Sequence, residues 1–566
     1  MAALFSMKAM AQSSAEQLGM TMTAHEWCQA VKAGWNLGNS FESSSSTSNR
    51  DLWETGWGNP VTTKEMISKV KELGFNAIRI PVRWEPHCSD HATMNISTKW
   101  LNRVKEVVDW CLEEDMYVII NTHHEEWLEQ HPTNANKDEN IRMLKALWTN
   151  IATAFKDYDQ RLAFAGINEV QVNWQRPTTE HASVENAYNQ AFVETVRATG
   201  GKNEYRNLII QTYSCSPYYG RDFLTIPTDP TSERLSVEFH YYDPYDYCSG
   251  NGKYYYWGSE AKAAGKSVPN DNENTINNLF KDLKTRWYDK GLGVIIGEYG
   301  VSDHYTAAEK DEMHANNTYY LKKLVSYIRL YGFAGFVWDN NVFGNGTEKF
   351  GILDRRNKMN PRANYFYQGI MEGAGIDYDP TIGGDDTGET DTEYGDNATI
   401  IWQGESDLAW GSGLQLNITA ADFADFTTNH KIVVFCKKKA MKENYDMLQL
   451  VYGGWASSPS FFVNGTKETK EFNPSSYSSD ANNIVLELTF DQATINTLKQ
   501  KGLVIQGYGL TLTKVLKVAP KTDGIVSVTA NESKAGIYDL NGMLHSSISG
   551  NGIYIINGKK TIVSNN

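Results

Sequence analysis

The chain has 566 residues, too many for one hydrophobic core, so two or three domains are expected. Charged residues (21%) and hydrophobic residues (41%) are in ordinary proportion, and a formal net charge of −15 excludes the clustered basic surface that nucleic acid requires. No run approaches the roughly 20 apolar residues that span a bilayer. Six cysteines without a CxxC pair exclude a disulfide scaffold. The 16 Trp and 31 Tyr exceed the needs of packing, as expected where flat rings meet a ligand or partner.

Residues 1–23 read as an N-terminal extension. Ala9-Met-Ala11 before Gln12 has the form of a signal-peptidase site with only Leu4 and Phe5 as apolar bulk ahead of it, a shortened signal peptide that predicts export. Strand and helix alternate from Ala33 to Gly373, in a domain placed at 24–374. Strand ends are predicted at Gly34-Trp-Asn-Leu-Gly-Asn39, Ala77-Ile-Arg-Ile-Pro-Val82, Tyr117-Val-Ile-Ile-Asn-Thr-His-His124 and Leu162-Ala-Phe-Ala-Gly-Ile-Asn-Glu169. The other four are Asn207-Leu-Ile-Ile-Gln-Thr212, Leu235-Ser-Val-Glu-Phe-His240, Leu292-Gly-Val-Ile-Ile-Gly-Glu-Tyr-Gly300 and Phe333-Ala-Gly-Phe-Val-Trp338. Helical spacing joins Met66, Ile67, Val70 and Leu73; Leu101, Val104, Val107, Val108 and Cys111; Ile141 to Phe155; and Leu321 to Ile328. Eight alternations predict an α/β fold of (β/α)8 TIM-barrel type. A doubly wound sheet is the alternative, though no G-x-G-x-x-G turn follows a strand.

Composition changes after Gly375. The stretch 375–397 is Gly, Thr and acid with little apolar bulk, an acidic linker. Residues 398–520 read as strands with turn signals, Thr399-Ile-Ile-Trp402, Lys431-Ile-Val-Val-Phe435, Asn483-Ile-Val-Leu-Glu-Leu488 and Leu503-Val-Ile-Gln506 among them, which predicts a β-sandwich. A carbohydrate-binding role for it would use Trp402, Trp410, Tyr452 or Trp455; a plain spacer is the alternative. Residues 521–566 repeat a Gly-Ile-Tyr…Asn-Gly unit, and Asn-Gly between β-formers signals a hairpin.

In such a barrel the chemistry sits at the C-terminal ends of the strands. There the chain places Asn39, Arg79, His123, His124, Asn168, Glu169, His240, Tyr242, Glu298 and Trp338. Two glutamates at strand ends suit glycosidic cleavage, which needs a proton for the leaving oxygen and a nucleophile or stabilising charge at the anomeric carbon. Arg79 and the Tyr242 phenol are expected to keep Glu298 ionised, and Glu169, without a cationic neighbour in sequence, to keep its proton. That makes Glu169 the acid/base and Glu298 the nucleophile. Adjacent His123 and His124 do not share a strand face as a His-x-His pair does, so no metal site is expected. Aromatic residues of 241–257, with Trp84, Trp127 and Trp174, are candidate sugar platforms or, alternatively, core.

These segments, with Glu54-Thr-Gly-Trp-Gly-Asn-Pro60, Thr122-His-His-Glu125, His240-Tyr-Tyr242 and Ile296-Gly-Glu-Tyr-Gly300, make Ala24 to Met371 resemble glycoside hydrolase family 5. The resemblance implies a retaining β-glycanase, with acid/base Glu169, nucleophile Glu298, and Arg79, His123, His124, Asn168, His240, Tyr242 and Trp338 positioning substrate. It implies no metal and no organic cofactor. The glycine-rich segments are most similar to endo-β-1,4-glucanases acting on cellulose-like, mixed-linkage or xyloglucan polysaccharides; a β-mannanase, a xylanase or a catalytically silent glycan-binding protein are the alternatives. Val170 stands where the family usually has Pro. The 398–520 region is similar to modules of exported Bacteroidetes-type enzymes, and the last segment to type IX secretion tails, without their final basic residue. Such a tail would place the protein outside the cell, secreted or attached to its surface.

Overall fold

Eight short apolar runs pair edge to edge in chain order, and the eighth closes on the first. The strands are β1 (Gly34–Asn36), β2 (Ala77–Ile80), β3 (Tyr117–Asn121), β4 (Leu162–Ala165), β5 (Leu208–Gln211), β6 (Leu235–Tyr241), β7 (Gly293–Tyr299) and β8 (Ala334–Val337). Each is followed by a helix: α1 (Lys64–Glu72), α2 (Thr98–Glu113), α3 (Asn134–Ala154), α4 (Thr179–Ala198), α5 (Pro217–Phe223), α6 (Glu273–Arg286), α7 (Lys310–Leu330) and α8 (Asn364–Ala374). All eight barrel pairings are parallel, so the doubly wound alternative is excluded. This computed structural model describes residues 14–45, 49–380, 382–383, 398–410, 413–439, 445–455, 457–478 and 480–520, with four short strands between 537 and 563. The segment expected to carry the signal-peptidase site and most of the acidic linker lie outside the described residues.

The helices form where the spacing predicts them. In α1 the Thr63 hydroxyl accepts from the Met66 N–H and Ile67 and Val70 are buried; in α2 the buried face is Trp100, Val104, Val107, Val108 and Cys111. Strand residues alternate between two cores. Ile78, Ile80, Val118, Ile120, Leu162, Phe164, Leu208 and Ile210 pack outward against the helices. Ala77, Ile119, Ala163, Ala165, Ile209, Ile295, Ala334 and Phe336 fill the interior, where Trp27, Cys28 and Val31, on and just after a helix at Ala24–Ala30, join them.

Alternation decides which residues reach the mouth. Asn36, Arg79, Asn121, Glu238 and His240 share the parity of the interior set. Glu298 does not: counted from Ile295 it would point outward. The register slips between Phe239–Ile296 and His240–Glu298, and again between β7 and β8, so Gly297 is an extra residue in β7. This bulge turns Glu298 inward beside His240.

The chain forms two compact units, one carrying the barrel and the other the C-terminal sheet. In the second unit nine strands form one sheet organised on Leu503–Val518. The first half of that strand pairs antiparallel with Leu416–Ile418 and Met447–Tyr452, its second half with Lys431–Lys438. One stretch differs from the all-strand expectation: Gln492–Lys501 is a helix, capped by Asp491 at the Thr494 N–H (2.8 Å) and ended by Gly502 at φ 73°. Of the aromatic platforms expected here, Trp402 and Tyr452 are buried, Trp410 is half-buried, and Trp455 is 50% exposed. In the tail, Ile537–Tyr538 pairs with Leu544–His545, and Gly552–Ile556 with Lys559–Val563, both antiparallel; the two Asn-Gly pairs between the paired strands lie outside the described residues.

Candidate active site

Arg79 is the hub. It is fully buried; Nη1 donates to Asn36 Oδ1 (3.0 Å) and Glu298 Oε1 (2.9 Å), and Nη2 donates to Asn168 Oδ1 (2.8 Å) and lies 3.1 Å from Glu238 Oε1. Glu298 Oε2 accepts from the Tyr242 hydroxyl (3.0 Å). His240 Nδ1 contacts Glu169 Oε1 at 2.8 Å and stands 3.6 Å from Glu298 Oε2. Oxygens of the two glutamates lie within 4.8 Å of each other and of a His240 nitrogen. Glu169 is the more open, its side chain 25% exposed against 7% for Glu298. Six of the ten expected residues, Arg79, Asn168, Glu169, His240, Tyr242 and Glu298, therefore form one hydrogen-bonded network.

The two carboxyl groups are shifted in the directions opposite to those expected. Burial alone would raise Glu169, but the hydrogen bond and charge of His240 hold its carboxyl below the usual range. Burial pushes Glu298 up, against the opposing charges of His240 and Arg79. Glu169 thus does have a cationic neighbour, 71 residues away in sequence. Burial opposes the charge on His240, and the Cys215 thiol, Glu298 and Glu169 outweigh it, so the imidazole is held well above its ordinary range. One proton is shared across the 2.8 Å contact, and the ion pair and the neutral pair differ only in which atom carries it.

Glu169 has a left-handed backbone (φ 41°), a conformation that non-glycine residues adopt at a cost. The turn is held from both sides: Val170 is buried, and its carbonyl accepts from the Ser214 N–H (2.8 Å). Val170 thus anchors the turn by packing where a proline ring would fix it by geometry.

His123, His124 and Trp338 form one wall. Trp57 meets His124 edge-on at 5.6 Å between centroids, His124 meets His123 at 4.4 Å, and His123 lies nearly parallel to Trp338 at 6.1 Å. Asn121 Nδ2 donates to His123 Nδ1 (3.2 Å), which leaves the proton on Nε2. Burial drives His123 well below its ordinary range and His124 down to about 4, so both are neutral where the glutamates are ionised. The sign for stability follows: the unfolded chain takes up a proton at His124 below about 6.5 and the folded one only near 4, so acidification across that window costs up to about 3 kcal/mol. His124→Gln is expected to be relatively more stable at pH 4 than at pH 7, as urea unfolding at the two pH values will show.

Asn39 is not part of the network. Its left-handed backbone (φ 58°) starts the loop after β1, where its N–H donates to Glu42 Oε1. The role falls to Asn36, three residues earlier in the same segment, whose Nδ2 also donates to the carbonyls of Gly297, Phe336 and Val337 (2.9–3.2 Å). Only the inward parity of β1 distinguishes the two asparagines in sequence. Asn36→Ala is expected to cost about 1–3 kcal/mol in stability and to lower kcat/KM more than KM rises, measured by denaturation and steady-state kinetics. Among the expected platforms, Trp84 is core, its Nε1 donating to the Asn121 carbonyl (2.7 Å), and Trp127 donates to Glu125 (3.0 Å). Trp174 is 61% exposed and Trp57 41%. Within 241–257, Tyr241, Tyr247, Tyr256 and Trp257 are packed, whereas Tyr245 is exposed.

Glu169, His240 and Glu298 are close enough to ligate a cation, but Arg79 already neutralises Glu298, and the His240 nitrogen facing the pair carries the shared proton. The donor set fits proton sharing better than a metal. Two facing carboxyl groups after β4 and on β7, with oxygens within 4.8 Å of each other at the mouth of a parallel barrel, define the molecule as a glycoside hydrolase. Residues 37–344 match the cellulase family, glycosyl hydrolase family 5, and the chain belongs to that family.

Similar proteins include endoglucanase A of Ruminococcus albus, 35% identical over 344 residues that cover 59% of this chain and 88% of that one. A xyloglucan-specific endo-β-1,4-glucanase of Bacteroides ovatus is 38% identical over 309 residues, 53% and 61% of the two chains. Cellulase/esterase CelE of Acetivibrio thermocellus is 35% identical over 371 residues; the chain spans 41% of its length. Among solved structures, a Bacteroides ovatus family 5 xyloglucanase bound to a XXXG heptasaccharide superposes with a TM-score of 0.58 at 34% identity, covering 63% of this chain and 77% of that one. Among the described residues no helix is long and apolar enough to cross a membrane.

Proposed function

We propose that the chain is a retaining endo-acting β-1,4-glucanase, with cellulose-like, mixed-linkage or xyloglucan chains as substrate. Glu298 attacks the anomeric carbon as the glycosidic C–O bond breaks, and Glu169 protonates the leaving oxygen. A water then gives its proton to Glu169 and its oxygen to the anomeric carbon, releasing Glu298 and a product of unchanged configuration. The observation that carries this reading is the approach of the two glutamates to within 4.8 Å, with Arg79 and Tyr242 donating to the inner one and His240 to the outer. The ring wall from Trp57 to Trp338 offers stacking to successive sugars, and the endoglucanases and xyloglucanase named above support a glucan.

Export is part of the same reading, because such polymers do not enter cells; it is supported by the signal-like Ala9-Met-Ala11 and by the tail repeat, which would sort the protein to the surface. The test is product analysis on carboxymethylcellulose, lichenan, xyloglucan, glucomannan and xylan side by side. Rapid chain shortening of the β-1,4-glucans is expected. Cleavage confined to glucomannan or xylan would replace the reading with a mannanase or xylanase, and binding without cleavage of any would make the chain a silent binder.

A further inference from the structure

A third carboxylate lies beneath the glutamate pair, and the hydrolysis as written does not use it. Glu238 stands two residues before His240 on β6, so both side chains enter the barrel, and it is wholly buried. Its Oε1 lies 3.1 Å from Arg79 Nη2 and 3.5 Å from His240 Nε2. On their other sides the same two residues reach Glu298 (2.9 Å) and Glu169 (2.8 Å). Gly297 makes the room: a Cβ there would fall 1.8 Å from Glu238 Oε1. A buried carboxylate is costly unless matched by charge. Here one residue's missing side chain and two cations are committed to accommodating it.

We propose that Glu238 is a positioning residue of the reaction, fixing Arg79 against Glu298 and holding His240 protonated on both nitrogens so that Nδ1 has a proton to share with Glu169. This rests on the reading of Glu169 as acid/base. In the first step the proton passes from His240 Nδ1 to Glu169 Oε1 and on to the leaving oxygen as the C–O bond breaks. In the second, the proton taken from water returns by the same route, so no charge is left over. The groups facing His240 are Glu169 on β4, Cys215 after β5, Glu298 on β7 and Glu238 on its own strand, with Arg79 on β2 the nearby fixed cation. Burial pushes the Cys215 thiol up to about 12, so near neutral pH it acts on His240 through a hydrogen bond and not through charge. Glu238 itself is held below the usual range, the charges of Arg79 and His240 overcoming its burial.

The experiment is Glu238→Gln in the full chain, with kcat/KM followed from pH 4 to 10 on cello-oligosaccharides and on 2,4-dinitrophenyl β-cellobioside. Loss of a charge this close moves a titration by roughly one unit or more. The basic limb is therefore expected to fall by about one pH unit on cello-oligosaccharides, a roughly tenfold deficit at alkaline pH that disappears on the dinitrophenyl substrate, whose leaving group needs no proton. A merely structural role would lower the whole profile on both substrates without moving the limb, and that result would overturn the proposal. If Glu238→Gln does not fold, Glu238→Asp keeps the charge and draws it back by one methylene. An intermediate displacement of the limb is then expected, and a limb identical to wild type overturns the proposal. Wild-type protein that hydrolyses no glucan would instead overturn the functional reading beneath it.

Discussion

Glu298→Gln is expected to leave less than about one part in 10⁴ of the wild-type kcat on any glucan, with KM little changed. The substitution keeps the shape of the side chain and an acceptor for one of its two donors. It removes the charge that Arg79 Nη1 pairs with at 2.9 Å and the oxygen lone pair that would form the glycosyl ester. The fold should persist, because Asn36, Asn168 and Glu238 still hold Arg79. Burial costs the Glu298 carboxylate something even beside Arg79, so the acid limb of the wild-type kcat/KM profile should lie above the range of a free glutamate. Steady-state kinetics with circular dichroism on both proteins would check this. Residual kcat within tenfold of wild type would remove Glu298 from the role of nucleophile.

Glu169→Ala is the second large effect and has a different signature. Loss of a general acid typically costs 10²–10⁴-fold, and here the deficit should depend on the leaving group. Glycans should be cleaved at least about a hundredfold more slowly, whereas 2,4-dinitrophenyl cellobioside should still form the glycosyl-enzyme at near wild-type rate. That intermediate would accumulate, because no base remains to activate water. Azide, an anion that needs no base and fits where the carboxylate stood, should restore turnover and give a β-glycosyl azide. Failure of azide to accelerate release, with no such product, would show that Glu169 is not the base of the second step.

The sequence carried the barrel because each strand is a short apolar run ending in a polar residue, and because α1, α2, α3 and α7 keep strict helical spacing. It also carried the six networked side chains, which all stand at those strand ends. What it hid is the set of contacts between strands. His240 meets Glu169 across 71 positions, and that contact lowers the carboxyl that sequence neighbours alone would leave raised. Glu238 looks like an ordinary member of a strand until Gly297, on the next strand, is seen to make space for it. Asn36 and Asn39 have the same chemistry three residues apart, and only strand parity separates a loop residue from a ligand of Arg79. Trp84 precedes a loop as a platform would, yet it is consumed by the core. In the C-terminal unit, the helix at Gln492–Lys501 has only an Asp cap and a terminal Gly to announce it among strands.

The central claim is that the inner of two facing glutamates forms a covalent bond to the sugar. It is tested most directly by incubating the intact chain with 2,4-dinitrophenyl 2-deoxy-2-fluoro-β-cellobioside, which forms the intermediate but hydrolyses slowly, and locating the label by peptide mass spectrometry. The account predicts one fluorocellobiosyl group per chain, esterified to Glu298. A label on any other residue, or none while natural substrate is cleaved with inversion at the anomeric carbon, would contradict it.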